Sequence, residues 1–306
     1  MEIFFLNLAT SLNAGTILVI AAIGLLINEK AGIVNLGAEG MMLCAALAGF
    51  ATVVHTGSGG LGLVAGMAVG AMLAAVFGVL VIWLNTNQYA TGLALSLFGV
   101  GFSAFLGVTY SRENLADKMV KTPSIWLDVP VIGPGMARVD GLVWVGLLLA
   151  ILLVWFLQKT RAGLILRSVG ENPNSSHALG YPVRLIRFVA VVVGGSLCGL
   201  AGAYLSTVYT PLWTEGMTAG RGWIALALTT FATWRPGRVL LGAYLFGAVT
   251  MTQFYLQGQG VQISPHFLSM LPYLATIVVL VIISRNPVWI RTNMPASLGK
   301  PFHPSS

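Results

Sequence analysis

Apolar residues in this chain fall in long runs rather than in strict alternation or a narrow amphipathic stripe. The runs cover 3–28, 35–54, 61–84, 88–109, 141–158, 186–208, 221–234, 238–256 and 267–284, separated by short polar, Gly- or Pro-bearing stretches. About 20 mainly apolar residues in a helix cross roughly 30 Å of hydrocarbon. The pattern therefore predicts an all-α, polytopic membrane bundle of about nine transmembrane segments. The runs are too long, and too little alternating, for barrel strands. The seventh run, 221–234, is short for a crossing and is expected to be tilted or to be one half of a broken helix. The opening MEIFFLNLATSLNAG lacks a basic n-region and reads as a first span rather than a cleaved signal. Small residues recur at helical spacing: Gly66, Gly70, Ala74 and Gly78 in the third run, and Gly195, Gly199 and Ala203 in the sixth. Such stripes let helices pack closely, or else line a pore.

Composition sharpens the picture. Of 306 residues, 57% are hydrophobic and only 8% charged, against roughly a quarter charged in soluble domains. That is too little polar surface for a soluble globule, and the lipid must be part of the solvent. No linker parts the runs into two cores, so residues 1–284 read as one membrane domain, followed by a tail at 285–306. The net charge of +7 does not form a nucleic-acid stripe, because the basic residues sit singly between apolar runs. Placing the amino terminus outside puts Lys30, Lys159, Arg161, Arg167, Arg184, Arg187, Arg235, Arg238, Arg285, Arg291 and Lys300 inside. The outer side then holds Arg112, Lys118, Lys121, Arg138 and Arg221, offset by acids. The positive-inside bias favours this orientation, with the carboxyl terminus cytosolic. An extracytoplasmic loop is expected at 110–140 and a long cytosolic loop at 159–185; the Pro- and Ser-bearing tail is expected to be disordered.

Candidate chemistry is sparse. There is no HExxH, no GxSxG and no GxxxxGK[ST], so no catalytic residues are assigned and any ATP-driven motor must be another chain. Cys44 and Cys198 lie inside apolar runs, and His55, His177, His266 and His303 are scattered, giving neither a disulfide framework nor a metal site. Glu39 lies within an apolar stretch flanked by glycines. A carboxylate there is either functional or a helix-end acid favoured by the dipole. In the 159–185 loop, Gly170 and Pro173 are expected to break the helix leaving the membrane, with 174–176 capping a short surface helix; the alternative is an ordinary solvated loop. Glu215, Thr218 and Arg221, among glycines, form an outer gate or docking cluster, or simply a wet helix end. Asn87, Gln88, Tyr89 and Ser96, with Trp213 and Trp223 outside, suit a nucleobase or serve as interface anchors.

Several stretches carry a resemblance. INEKAGIVNLGAEGMM, Asn87-Gln88 followed by TGLALSLFG, LRSVGENPNSSHALGYPV, and YTPLWTEGMTAGRGWIALAL with WRPG and LLGAYLFG occur in this order. Together they resemble bacterial ABC permeases of the branched-chain amino acid, simple sugar and nucleoside group, in particular the branch fed by nucleoside-binding lipoproteins. FATWRP departs from the FGRWRP more usual there. The resemblance implies a type II ABC importer fold in the bacterial plasma membrane, with two permease subunits around a central path. The second permease is usually a longer, related chain. It also implies separate ATP-binding subunits that use ATP and Mg, an extracytoplasmic binding lipoprotein, and no cofactor bound by this chain. Gly170, Glu171, Asn172, Pro173, Asn174 and Ser175 would couple to the ATPase. Asn35, Glu39, Asn87, Gln88 and Ser96 would line the substrate path. Trp213, Glu215, Thr218 and Arg221 would gate it or dock the binding protein. The expected solute is a nucleoside, with a sugar, a branched-chain amino acid or a stand-alone secondary transporter as alternatives.

Overall fold

The computed structural model describes residues 2–115, 138–258, 264–284 and 293–303. Most of the 110–140 loop, namely 116–137, lies outside them. Helix α1, Glu2–Lys30, runs into a turn at Gly32, whose φ of +88° an L side chain rarely adopts. After this turn comes α2, Ala38–Thr56, closed by left-handed Gly57, whose N–H donates to the Val53 carbonyl. Ser58 caps α3, Gly59–Gly78, which widens into a π turn at Val79–Trp83. Asn87 caps α4, Gln88–Gly107, through the N–H groups of Tyr89 and Ala90. Then follow α5, Gly141–Lys159; α6, Arg161–Glu171; α7, Pro173–Ala178; and α8, Val183–Tyr204, with a π turn at Leu205–Tyr209. The chain closes with α9, Arg221–Phe231; α10, Pro236–Gly258; and α11, Pro265–Ser284. Among the described residues the only extended pairing is an isolated bridge between Asn114 and Leu212.

Among the described residues, seven helices are long and apolar enough to cross a membrane: Leu6–Lys30, Ala38–Thr56, Gly59–Trp83, Gln88–Tyr110, Gly141–Lys159, Val183–Tyr209 and Pro236–Gly258. Burial sorts them into layers. The apolar stretches of α1, α2 and α8 are 78%, 72% and 72% buried, while those of α4, α5 and α10 are each 28% buried. The first three therefore form the core, and the others turn residues such as Leu97, Phe105, Ile151 and Leu241 outward. An apolar belt of that kind suits lipid.

The glycine stripes of α3 and α8 face one another. A methyl group on Gly70 would strike the Gly195 carbonyl, and one on Gly199 would strike that of Gly66. The stripes thus serve packing, as small residues do between helices in lipid. At the carboxyl-terminal end of α8, Tyr204 donates to Asp140 at 2.7 Å, and the Asp140 N–H donates to Asn13 Oδ1 at 3.0 Å. Burial pushes the Asp140 carboxyl above its usual range.

The run 221–234, expected to be tilted or half of a broken helix, is a helix of 11 residues, about 16 Å long and half a hydrocarbon thickness; of the nine runs, seven give helices long and apolar enough to cross among the described residues. Three expectations need correction. The second span begins at Ala38, and Asn35 lies before it in a buried non-helical turn. The 159–185 stretch is not a loop but the helices α6 and α7, with Gly170 inside α6 and Asn172, not 174–176, as the cap of α7. Residues 293–303 of the tail are not disordered. They pack against α6, α7 and α8, with Phe302 buried beside Val169 and Val183.

Candidate functional site

The α1–α2 turn and the start of α9 build one polar site inside the bundle. Residues 31–37 run non-helically through the interior, which lipid permits only where protein surrounds the backbone. Three side chains satisfy that backbone. Gln88 Oε1 accepts the Val34 N–H at 2.9 Å, Asn35 Oδ1 accepts the Gly37 N–H at 3.0 Å, and Ser96 donates to the Leu36 carbonyl at 2.7 Å. The glycines let α4 press against the turn and α2: a methyl on Gly92 would lie 2.9 Å from Leu36 N, and one on Gly99 would strike Gly40.

Glu39 follows directly, in the first turn of α2, and is 5% exposed. Its Oε1 accepts from Thr218 Oγ1 at 2.5 Å and from the Gly220 N–H at 2.8 Å; its Oε2 accepts from the Gly222 N–H at 2.7 Å. The carboxylate therefore lies at the amino-terminal ends of two helices, α2 and α9, where both dipoles favour negative charge. Close approach depends on Gly222, where a methyl would sit 2.6 Å from the Glu39 Cα. Gly220, at φ +81°, turns the chain into α9.

A second carboxylate holds the other end of α9. Glu29, 2% exposed near the end of α1, accepts from Thr229 Oγ1 at 2.7 Å and from the Trp234 indole N–H. The half-helix α9 is thus suspended between two acids, Glu39 with donors on both oxygens and Glu29 with two donors on Oε2; such hydrogen bonds offset part of the cost of burying an acid. Beside Glu29, the Asn28 amide is buried with neither atom partnered among the described residues, and so is Gln88 Nε2. The FATWRP departure is harmless at its second position, because Ala232 has φ −72°; the left-handed conformations fall at Thr233 and Trp234.

The predicted residues are redistributed by this geometry. Glu39 and Thr218, assigned to different sites by sequence, share a hydrogen bond. Asn35, Gln88 and Ser96 come together around 34–37, whereas Asn87 is the α4 cap. Trp213 is not an outward anchor: it is 3% exposed, packed on Gly107 and clustered with Leu43 and Phe50. Glu215 is exposed, and the Arg221 guanidinium donates to the Met217 and Thr218 carbonyls. Beside Arg221, a cavity of about 310 Å³ opens between α1, α9, α10 and α11, with Thr250, Gln253 and Tyr273 in its wall. Sequence reasoning gave no role to Glu29 or Asn28 and read Arg187 only as an inner-side basic residue; a carboxylate directly after the apolar run 3–28 was the signal for Glu29. No cluster of three or more His, Cys, Asp or Glu among the described residues is placed to hold a metal.

The predicted coupling residues form an elbow. Thr160 accepts from the Gly163 N–H at 3.0 Å, and glycine at 163 lets α6 fold back onto the end of α5. Gly170 is pressed against the Lys30 carbonyl, at a distance no other residue allows. Asn172 Oδ1 accepts the Ser175 N–H at 3.0 Å, with Pro173 in the first turn of α7. Glu171, Asn172, Asn174 and Ser175 are exposed.

An apolar bundle with a broken helix held at depth by buried carboxylates has the build of a multi-pass membrane transport protein. Residues 7–283 match the family described as the branched-chain amino acid transport system / permease component. The chain is 38% identical to a putative glucose ABC transporter permease of Haloferax volcanii, over 97% of both chains. It is 32% identical to a nucleoside ABC transporter permease of Lactococcus lactis, covering 89% of this chain and 90% of that one. It is 30% identical to a guanosine ABC transporter permease of Bacillus subtilis, over 75% and 76%. No solved structure matches. The chain belongs to this family of ABC transporter permeases.

Proposed function

We propose that this chain is a permease subunit of an ABC importer that moves a small polar solute inward, most specifically a nucleoside. The observation that carries the transport mechanism is the α6–α7 elbow. It presents Glu171, Asn172, Asn174 and Ser175 outward while Gly170 rests on the Lys30 carbonyl, at the entrance to the α1–α2 turn. An elbow of this shape can receive a separate ATP-binding subunit and pass displacement into the bundle. The basic residues at the Lys30 end support a cytosolic elbow and carboxyl terminus, with the amino terminus outside. An extracytoplasmic binding protein would then meet the opposite end, near Glu215. Two different nucleoside permease chains of Lactococcus lactis match this one, which supports a second, related permease as its partner.

The nucleoside reading rests on the two relatives named for nucleosides and guanosine. A sugar is the second reading, favoured by the relative named for glucose. Competition of labelled guanosine uptake in cells with and without the gene separates them. Chain-dependent guanosine uptake, competed by adenosine but not by glucose or leucine, is the expected result. Chain-dependent uptake of labelled glucose with none of guanosine supports the sugar reading instead.

A further inference from the structure

The carboxyl-terminal residues 293–303 do not trail from the bundle. They cross its Lys30 end and bind three separate elements. At the α1–α2 turn, Lys30 Nζ donates to the Asn293 carbonyl at 2.9 Å, and the Gly299 N–H donates to the Gly32 carbonyl at 3.1 Å. At the elbow, Ser297 donates twice to the Gly170 carbonyl, through its N–H at 3.1 Å and its Oγ at 2.6 Å. At α8, the Arg187 guanidinium donates to Ser297 Oγ at 2.9 Å and to the Lys300 carbonyl at 3.3 Å.

Two physical features show that this seat is built rather than incidental. Arg187 is 2% exposed, and its partners among the described residues are this segment's oxygens. Without the segment the guanidinium would lose both of these acceptors, and breaking such a buried contact is costly. Gly32 faces the junction, and a methyl there would lie 2.6 Å from Ser297 Oγ and 2.9 Å from Arg187 Nη2. Ser297 therefore sits where the elbow, the α1–α2 turn and α8 converge. Seven positions beyond Gly32 along the chain is Glu39, whose carboxylate holds α9.

Between the segment and α7 is a cleft of about 410 Å³, walled by Glu171 and Asn174 on one side and Lys300, Pro301 and His303 on the other. Its walls mix an acid, an amide and a base, the chemistry of a polar protein contact rather than of lipid. We infer that residues 293–303 are a coupling strap: they complete, with α7, the surface that receives the ATP-binding subunit, and through Ser297 and Arg187 they tie that surface to the α1–α2 turn. This rests on the reading of α6–α7 as the coupling elbow. Ser297 and Arg187 act as positioning residues, remote from the solute.

The test uses the whole transporter reconstituted with its ATP-binding subunits, partner permease and binding protein. In a Cys44→Ala, Cys198→Ala background, Asn174→Cys and Lys300→Cys are each labelled with a benzophenone maleimide and illuminated. Both positions are expected to cross-link to the ATP-binding subunit. Ser297→Ala, which removes the Oγ shared by Arg187 and Gly170, is expected to leave assembly and basal hydrolysis intact. It should lower solute-stimulated hydrolysis and uptake about tenfold, within the usual span of coupling between sites. Truncation after residue 292 should abolish stimulation; if the truncated chain fails to assemble, Ser297→Ala still decides. Cross-linking from 174 but not from 300, or full stimulation in Ser297→Ala, overturns the strap and leaves the elbow standing. Cross-linking from neither position overturns both.

Discussion

Glu39 shows how far a residue's role can be read from its position and where that reading stops. An acid among glycines inside an apolar run marks a costly group, and that was visible. Its partners are not, because Thr218, Gly220 and Gly222 lie about 180 positions further along the chain, in what reads as an outer turn. The same blindness applies to Glu29 and Trp234, and to Arg187, which looks like one more basic residue marking a membrane boundary. At this scale the account predicts that Glu39→Gln inserts but transports poorly. The carboxamide keeps the shape, yet its NH₂ must face one of three donors, leaving a buried N–H or hydroxyl unsatisfied at about 1–3 kcal/mol. A lowered melting temperature in detergent together with lost uptake is expected; wild-type values of both would show that the triple contact does not matter. Trp234→Phe should cost a similar amount, about 1–3 kcal/mol, since it leaves Glu29 with Thr229 as its one side-chain donor among the described residues. Thermal unfolding of the purified variant reads this directly, and an unchanged midpoint would count against it.

Among the elements, α9 carries the most information. Its run was legibly too short to cross, so a broken helix could be anticipated from length alone. The suspension between Glu39 and Glu29 could not, since it is tertiary. Gly222→Ala places a methyl against the Glu39 backbone, and overpacking of a tight contact costs about 1–3 kcal/mol. The expected outcome is a variant that still inserts, melts earlier and transports less; unaltered melting and uptake would mean that α9 has room to move away. The elbow was partly legible: Pro173 and the asparagines announced a break and a cap, but Gly170 looked like a breaker and is instead a contact glycine within α6. The tail misled for a physical reason. Proline and serine lower local propensity for regular structure, while what orders residues 293–303 is a buried guanidinium more than a hundred residues away.

For the molecule as a whole, the apolar pattern sufficed for the class and nearly for the helix list, because lipid forces each backbone to satisfy itself within helices. Orientation rests on charge alone. Asn114→Cys and Ser175→Cys, each in a chain whose Cys44 and Cys198 have been replaced, should label from opposite sides with an impermeant thiol reagent, Asn114→Cys from outside. Labelling of both from outside would contradict the scheme.

The central claim is that this chain carries a solute under the drive of a separate ATPase. Its most direct test is uptake of labelled guanosine into proteoliposomes holding this chain, its partner permease and the ATP-binding subunits, with binding protein added outside and ATP enclosed. The account predicts accumulation that requires ATP and vanishes when this chain is omitted. Equal accumulation without ATP, driven by an imposed ion gradient, would contradict it.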